Sequence, residues 1–320
     1  MLRKLYVLIG GCLLATSAYG QQDPQFSLFP FTPTVVNPAA VGSEGVTRIQ
    51  FIHRTQWAGY QTSSGASGSP TTQLLTASLP LTRLNSGVGI YAFNDQLGPI
   101  SNQSFQLAYA YRLPLKSGTL AVGVQAGLFN KRIDYTGAII NDPNDPLVPT
   151  GIYSQMQPDI SAGIYYNTVD YWIGASLFHI NSPAYKLGTD RAINPLSRTA
   201  YLSAGYRLGL TYEIDLQPSI LYKYSTEPGP QASSLDANLL ATYNGRYFAG
   251  LSYRVQESIT VMAGLNMLAN NALRFGLAYD AVAFGTQAKN PASYELMLSY
   301  ALPAPSTNKK PIIRTPRFRY

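Results

Sequence analysis

Residues 46–57 alternate without a break: Thr47, Ile49, Phe51, His53, Thr55 and Trp57 fall on one face of an extended chain, and Arg48, Gln50, Ile52, Arg54 and Gln56 on the other. The same period returns in run after run down the chain. In one register the charges Arg48, Arg54, Arg112, Lys223, Asp236, Arg246, Arg254, Arg274, Asp280 and Glu295 share the polar face, while their neighbours are Leu, Tyr, Ile, Val, Phe and Ala. A charge on a lipid-facing wall costs about 2–4 kcal/mol near the bilayer midplane, so this segregation is what a membrane strand requires. A soluble sandwich or solenoid would leave the Tyr and Leu faces without cover. The pattern predicts an all-β chain forming a transmembrane antiparallel outer-membrane β-barrel. About 14 runs have the length a tilted spanning strand needs, within a range of about 12–16.

Composition supports this. Only 12% of residues are charged, and there are 24 Tyr against 2 Trp and 12 Phe. Tyr suits a boundary where one end of the ring is dry and the other wet. No apolar run reaches the length of a transmembrane helix. Arg3 and Lys4, an apolar run from Leu5 to Leu14, and Ala18-Tyr19-Gly20 read as a cleavable secretory leader over 1–20. Ile9-Gly10-Gly11-Cys12 only loosely resembles a lipobox, and cleavage after Gly20 removes the single cysteine. The net charge of +7 then becomes uninformative, because two cations leave with the leader and five sit in an acid-free tail. The body is neutral, unlike a nucleic-acid binder.

Four parts follow: the leader 1–20, a Pro-rich segment 21–45, the barrel 46–302 and a basic tail 303–320. Connections alternate between long and short, as expected for long outer loops and short periplasmic turns, so an even strand number puts both termini in the periplasm. The tight Gln256-Glu257 connection breaks that alternation. Segment 21–45 is apolar and Pro-stiffened, and is expected to pack at or inside the periplasmic mouth. The long connections 131–157 and 181–197 are large enough to form a surface. Ile139, Ile140, Leu147, Val148, Ile152 and Tyr153 make the first unusually apolar and are candidates for partner contact. In the tail, Ile312, Ile313, Arg314, Arg317, Phe318 and Arg319 interleave basic and apolar groups, which suits docking on a protein groove.

Chemistry is sparse. His53 and His179 are the two histidines, and Gly65-Ala66-Ser67-Gly68-Ser69 misses a nucleophile elbow. The expectation is no enzyme and no cofactor. Asp142, Asn144 and Asp145 lack the spacing and terminal Glu of a calcium loop, and Asp-Pro turns explain them. Two histidines without cysteine do not make a zinc site. The inward charges are read as a structural mesh, a pore lining or a grip on an inserted segment. His53 sits uneasily on the outward face, well below Trp57.

The Gln22-Asp23-Pro24-Gln25-Phe26-Ser27 opening, Asn37-Pro38-Ala39 with Gly42, and Arg54-Thr55-Gln56-Trp57 together resemble the PorP/SprF family of type IX secretion outer-membrane proteins. The likeness continues through Pro218, Arg254, Asp280, Tyr294 and Glu295 to Thr315-Pro316. It departs at Phe29-Pro30-Phe31-Thr32. The resemblance implies a non-enzymatic barrel that supports secretion or surface anchoring of partners bearing a type B C-terminal domain, including gliding adhesins. Some members also contact periplasmic secretion or motility components. A transporter of a small hydrophobic solute, similar to FadL, is the alternative.

Overall fold

The computed structural model describes residues 23–60, 68–137, 150–187, 193–226, 233–283 and 292–302. The expected leader and basic tail lie outside these residues. So do Ile139, Ile140, Leu147, Val148, Asp142, Asn144 and Asp145, and all of Ile312, Ile313, Arg314, Thr315, Pro316, Arg317, Phe318 and Arg319.

The strands are β1 (Arg48–Thr55), β2 (Thr71–Leu81), β3 (Ser86–Leu97), β4 (Ile100–Pro114), β5 (Thr119–Asp134), β6 (Ile152–Asn167), β7 (Tyr171–Phe178), β8 (Ala184–Lys186), β9 (Ile193–Pro195), β10 (Thr199–Tyr206), β11 (Leu208–Gly209), β12 (Ile214–Ser225), β13 (Ser234–Tyr243), β14 (Tyr247–Arg254), β15 (Ser258–Met267), β16 (Leu273–Val282) and β17 (Ala292–Ala301). Fourteen of them close an antiparallel barrel, with β1 pairing β17 and β10 pairing β12. The two-residue β11 resumes the ladder of β10 on β12, and β8 with β9 forms a separate small hairpin.

Turn chemistry fixes several hairpins. Asn244 and Gly245 take φ of 51° and 63°, the left-handed pair that an Asn-Gly turn supplies at low cost. Pro218 stands inside a ladder, where its missing N–H would normally be disruptive. It lies opposite the break between β10 and β11: the β10 register ends at Gly205 against Ser219 and resumes at Leu208 against Leu216.

The outward faces are apolar, as expected. Leu107, Val124, Ile164, Leu251 and Val261 are exposed along the wall. Tyr171, Tyr206, Tyr243, Tyr247 and Tyr300 edge it toward the short turns, and Tyr224, Tyr253, Tyr279 and Tyr294 toward the long connections. These are the two girdles of a membrane barrel.

The β3–β4 connection is a tight turn at Gly98 and Pro99, between strands that reach Leu97 and start at Ile100. The structure corrects two readings. Part of the expected 131–157 loop is strand: Lys131 pairs Gln155 and Ile133 pairs Tyr153. Ile152 and Tyr153 therefore belong to β6, with Ile152 exposed and Tyr153 turned against the core, 5.9 Å from the Tyr135 ring. Pairing continues above the lipid because a hairpin ladder needs no bilayer, whereas the lipid-facing alternation used to find strands ends at the membrane. Finally, Arg246 sits in the exposed turn after β13 rather than in the lumen.

Candidate functional site in the barrel lumen

The lumen is filled by the chain's own N-terminal segment. β1 starts at Arg48 beside Ala301, at the short-turn end. Asp23 lies at the opposite end, against His179 just beyond β7 and Lys223 near the end of β12. Residues 23–47 thus run the length of the barrel, farther than a plug of the mouth alone. The segment is irregular: 3-10 turns at Phe29–Phe31 and Pro38–Ala40 flank one helical turn at Pro33–Val36. A proline stands in the first or second position of each turn and stiffens the chain.

Nearest the short turns the segment is held by shape. Asn37 accepts from Ala39 N at 2.9 Å and donates to the Ile164 carbonyl at 2.8 Å, so one side chain caps a turn and grips β6. Ser176 donates to the Val36 carbonyl. The wall here is glycine. A Cβ on Gly174 would stand 2.7 Å from Asn37 Nδ2, and one on Gly87, Gly123 or Gly163 would run into Val41, Ala39 or Asn37. Gly42 N donates to Ser78 Oγ at 2.8 Å, and Glu44 pairs with Arg48 at 2.6 Å.

Farther in, the segment is held by charge. Glu295 accepts from the backbone N–H of Ser27 at 2.8 Å and of Leu28 at 3.0 Å, and from Arg54 Nη1 at 3.0 Å. Arg54 Nη2 donates to Asp280 at 2.7 Å, and Ser27 Oγ bonds the same carboxylate at 2.8 Å. Arg54, Asp280 and Glu295 are all buried. Arg254 makes a two-pronged contact with Asp236, at 2.7 and 3.2 Å, and Gln25 donates to Asp236 at 2.7 Å. Phe26 and Leu28 pack with Ile52, Leu74, Phe248, Met262 and Met297 in the apolar part of the same core. Arg274 lies over the Phe31 ring at 4.8 Å.

At the far end His179 sits between two carboxylates, with Nδ1 2.9 Å from Asp159 and Nε2 3.0 Å from Asp23. Both ring nitrogens face acceptors, so the doubly protonated form fits. Burial opposes that charge, but Asp23 and Asp159 outweigh it and raise the imidazole to about 10. Burial likewise pushes the Asp23 carboxyl up, and His179 with Lys223 holds it below its usual value.

Of the residues singled out from sequence, Arg54, Asp280 and Glu295 converge on Ser27, Arg254 flanks them through Asp236, and Asn37 and Pro38 form the shape-held tier. Gln56 and Trp57 follow β1 at the rim, where Trp57 N donates to Ser293 Oγ at 3.0 Å. Pro218 and the outward Tyr294 belong to the wall. The contacts of Asp23, Gln25 and Ser27 had no signal beyond the family-like opening, because their partners lie far away in sequence.

A cavity of about 30 Å³ remains beside the segment, lined by Asp23, Phe29, Tyr91, Phe129, Asp159 and His179 among others. That is room for about two waters. Among the described residues no group of His, Cys, Asp and Glu is arranged to hold a metal.

The family described as type IX secretion system membrane protein PorP/SprF matches residues 18–300. The chain belongs to the PorP/SprF family. A closed barrel with an apolar outer band in a secretion-system membrane family is an outer-membrane protein, and this PorP/SprF barrel is placed there. Among curated proteins none matches. Solved structures similar to it include the toluene transporter TodX of P. putida (11% identity, 83% of this chain and 92% of that chain, TM-score 0.49). The toluene transporter TbuX of Ralstonia pickettii aligns at 11% identity over 83% and 91%, TM-score 0.48. A FadL homologue of Pseudomonas aeruginosa aligns at 12% identity over 82% and 92%, TM-score 0.45.

Proposed function

We propose that this PorP/SprF barrel is a non-enzymatic accessory of type IX secretion that supports export and surface anchoring of partner proteins bearing a type B C-terminal domain. Its short turns, with the start of β1 and the end of β17, face the periplasm, where secretion or motility components are within reach, while Asp23 at the far end of the luminal segment lies on the side of the long connections. Its long connections face the partner. Family membership supports the role in secretion, and the filled lumen supports anchoring over conduction. A barrel whose axis is occupied from Gly42 to Asp23 by buried backbone, ion pairs and aromatic side chains offers a small hydrophobic solute no continuous route. Room for about two waters is far short of a site for such a ligand.

The test is affinity capture of the full chain from outer membranes of its own host, with identification of what co-purifies. Recovery of an exported protein with a type B C-terminal domain supports the reading. Recovery of the barrel alone, together with hydrophobic-solute uptake by the reconstituted protein, replaces it with the transporter.

A further inference from the structure

The outer wall carries a polar row that neither the lumen nor the apolar band explains. His53 on β1 pairs across the ladder with Gln73 on β2, Gln73 with Asn94 on β3, Asn94 with Gln103 on β4, and Gln103 with Asn130 on β5. All five occupy outward positions. The amides are joined in series: Asn94 donates to Gln73 at 2.9 Å, Gln103 to Asn94 at 3.0 Å and Asn130 to Gln103 at 3.5 Å, and Ser154 Oγ donates to Asn130 at 3.0 Å. The outward residues two positions toward the short turns are Phe51, Leu75, Ala92, Phe105 and Leu128, of which all but Ala92 are exposed apolar groups of the lipid-facing band. Two positions the other way stand Thr55, Thr71, Gln96, Ser101 and Arg132. The row therefore lies where the band ends, at the long-connection end. On β12 to β17 the same boundary is drawn by Tyr224, Tyr253, Tyr279 and Tyr294. His53 is thus in register, as the first member of a polar belt.

We propose that this row, on β1 to β6, is a binding platform for the sugar and phosphate headgroup of an outer-leaflet glycolipid. The occupant follows from continuity with the lipid-facing band. A molecule whose acyl chains lie against Phe51, Leu75, Phe105 and Leu128 necessarily brings its headgroup to Gln73, Asn94, Gln103 and Asn130. Each amide holds a neighbour and keeps donor or acceptor capacity spare, which suits a partner dense in hydroxyls. Arg132 stands one row above, half exposed and only 3.8 Å from Asp134, free to turn its guanidinium to a phosphate. A tyrosine girdle offers one hydroxyl per ring and no comparable ladder. The leaflet assignment rests on the proposed orientation of the barrel.

The experiment compares the full chain with a Q73L/N94L/Q103L/N130L variant, both extracted from the host outer membrane in mild detergent. Heat-modifiable migration confirms folding, and Q103L alone serves if the fourfold variant does not assemble. Co-extracted glycolipid and phospholipid are measured by mass spectrometry, and rebinding is measured with purified lipopolysaccharide. Glycolipid per barrel should fall about fivefold for each headgroup hydrogen bond removed, with phospholipid unchanged. Unchanged glycolipid overturns the proposal. So does loss of a co-purifying protein without loss of glycolipid, which makes the row a protein contact. Retention of phospholipid in place of glycolipid by the parent chain overturns it through the orientation, while leaving the partner-capture result standing.

Discussion

Glu295 is the position at which the luminal segment is most exposed to a single change. The residue is 2% accessible, and its carboxylate accepts from two consecutive backbone N–H groups, of Ser27 and Leu28, as well as from Arg54. Glu295→Ala removes all three acceptor contacts at once. Breaking a buried ion pair by deleting one partner costs about 3–5 kcal/mol, and each stranded buried N–H about 1–3 kcal/mol. These do not simply add. Arg54 keeps Asp280 at 2.7 Å, which softens the first loss, and the vacated volume can admit water to the N–H groups. The expected net destabilisation is about 3–5 kcal/mol. Glu295→Gln keeps an acceptor oxygen while losing the charge, and should cost about 1.5–3 kcal/mol, the worth of hydrogen bonds to a charged group. Equilibrium unfolding in denaturant, followed by heat-modifiable migration and by the fluorescence of Trp57 and Trp172, measures both. Chymotrypsin cleavage after Phe26 or Phe31 reports whether the segment alone has come loose. If the Ala variant unfolds at the parental denaturant concentration and resists cleavage, the carboxylate does not anchor the segment and the charge-held tier is wrongly understood.

Gly123→Val drives a side chain into the main chain of Pro38 and Ala39 and should cost at least about 1–3 kcal/mol, seen as a lower yield of folded barrel. Gly137→Val, where nothing lies within 4 Å of a new Cβ, should leave the yield unchanged. Leu107→Arg places a charge on the exposed mid-wall of β4 and should cost about 2–4 kcal/mol in bilayer refolding, much more than the same change at the rim. Against the opposing effect of burial, the carboxylates of Asp23 and Asp159 raise the His179 imidazole from 6.5 to about 10, with Lys223 near the same cluster. Its folded value exceeds its unfolded value, so its contribution is complete below about pH 6.5 and is lost as pH rises through about 10. Denaturant midpoints should therefore fall across that window, and His179→Gln should flatten the fall.

The barrel was legible because its cause is local. A strand that faces lipid on one side and a polar lumen on the other must alternate every second residue, and each run carries that period within itself. Strand number and the inward placement of Arg54, Arg254, Asp280 and Glu295 could be read this way. The reading weakened wherever the lipid constraint stops, which is why the upper parts of β5 and β6 looked like loop and why His53 looked misplaced.

The lumen was not legible, because its contacts have no sequence period. Ser27 meets Glu295 across 268 positions and Asp23 meets His179 across 156. Composition marked residues 23–45 as apolar, stiff and unsuited to a strand. Only closure of β1 on β17 brings Arg54, Asp280 and Glu295 into one pocket, and only the depth of the closed barrel lets a short segment reach from Gly42 to the rim at Asp23. Side-chain alternation is set by the backbone of each strand, so it is written in the chain. Which buried charge answers which is set by the strand order around the barrel, so it exists only once the wall has closed.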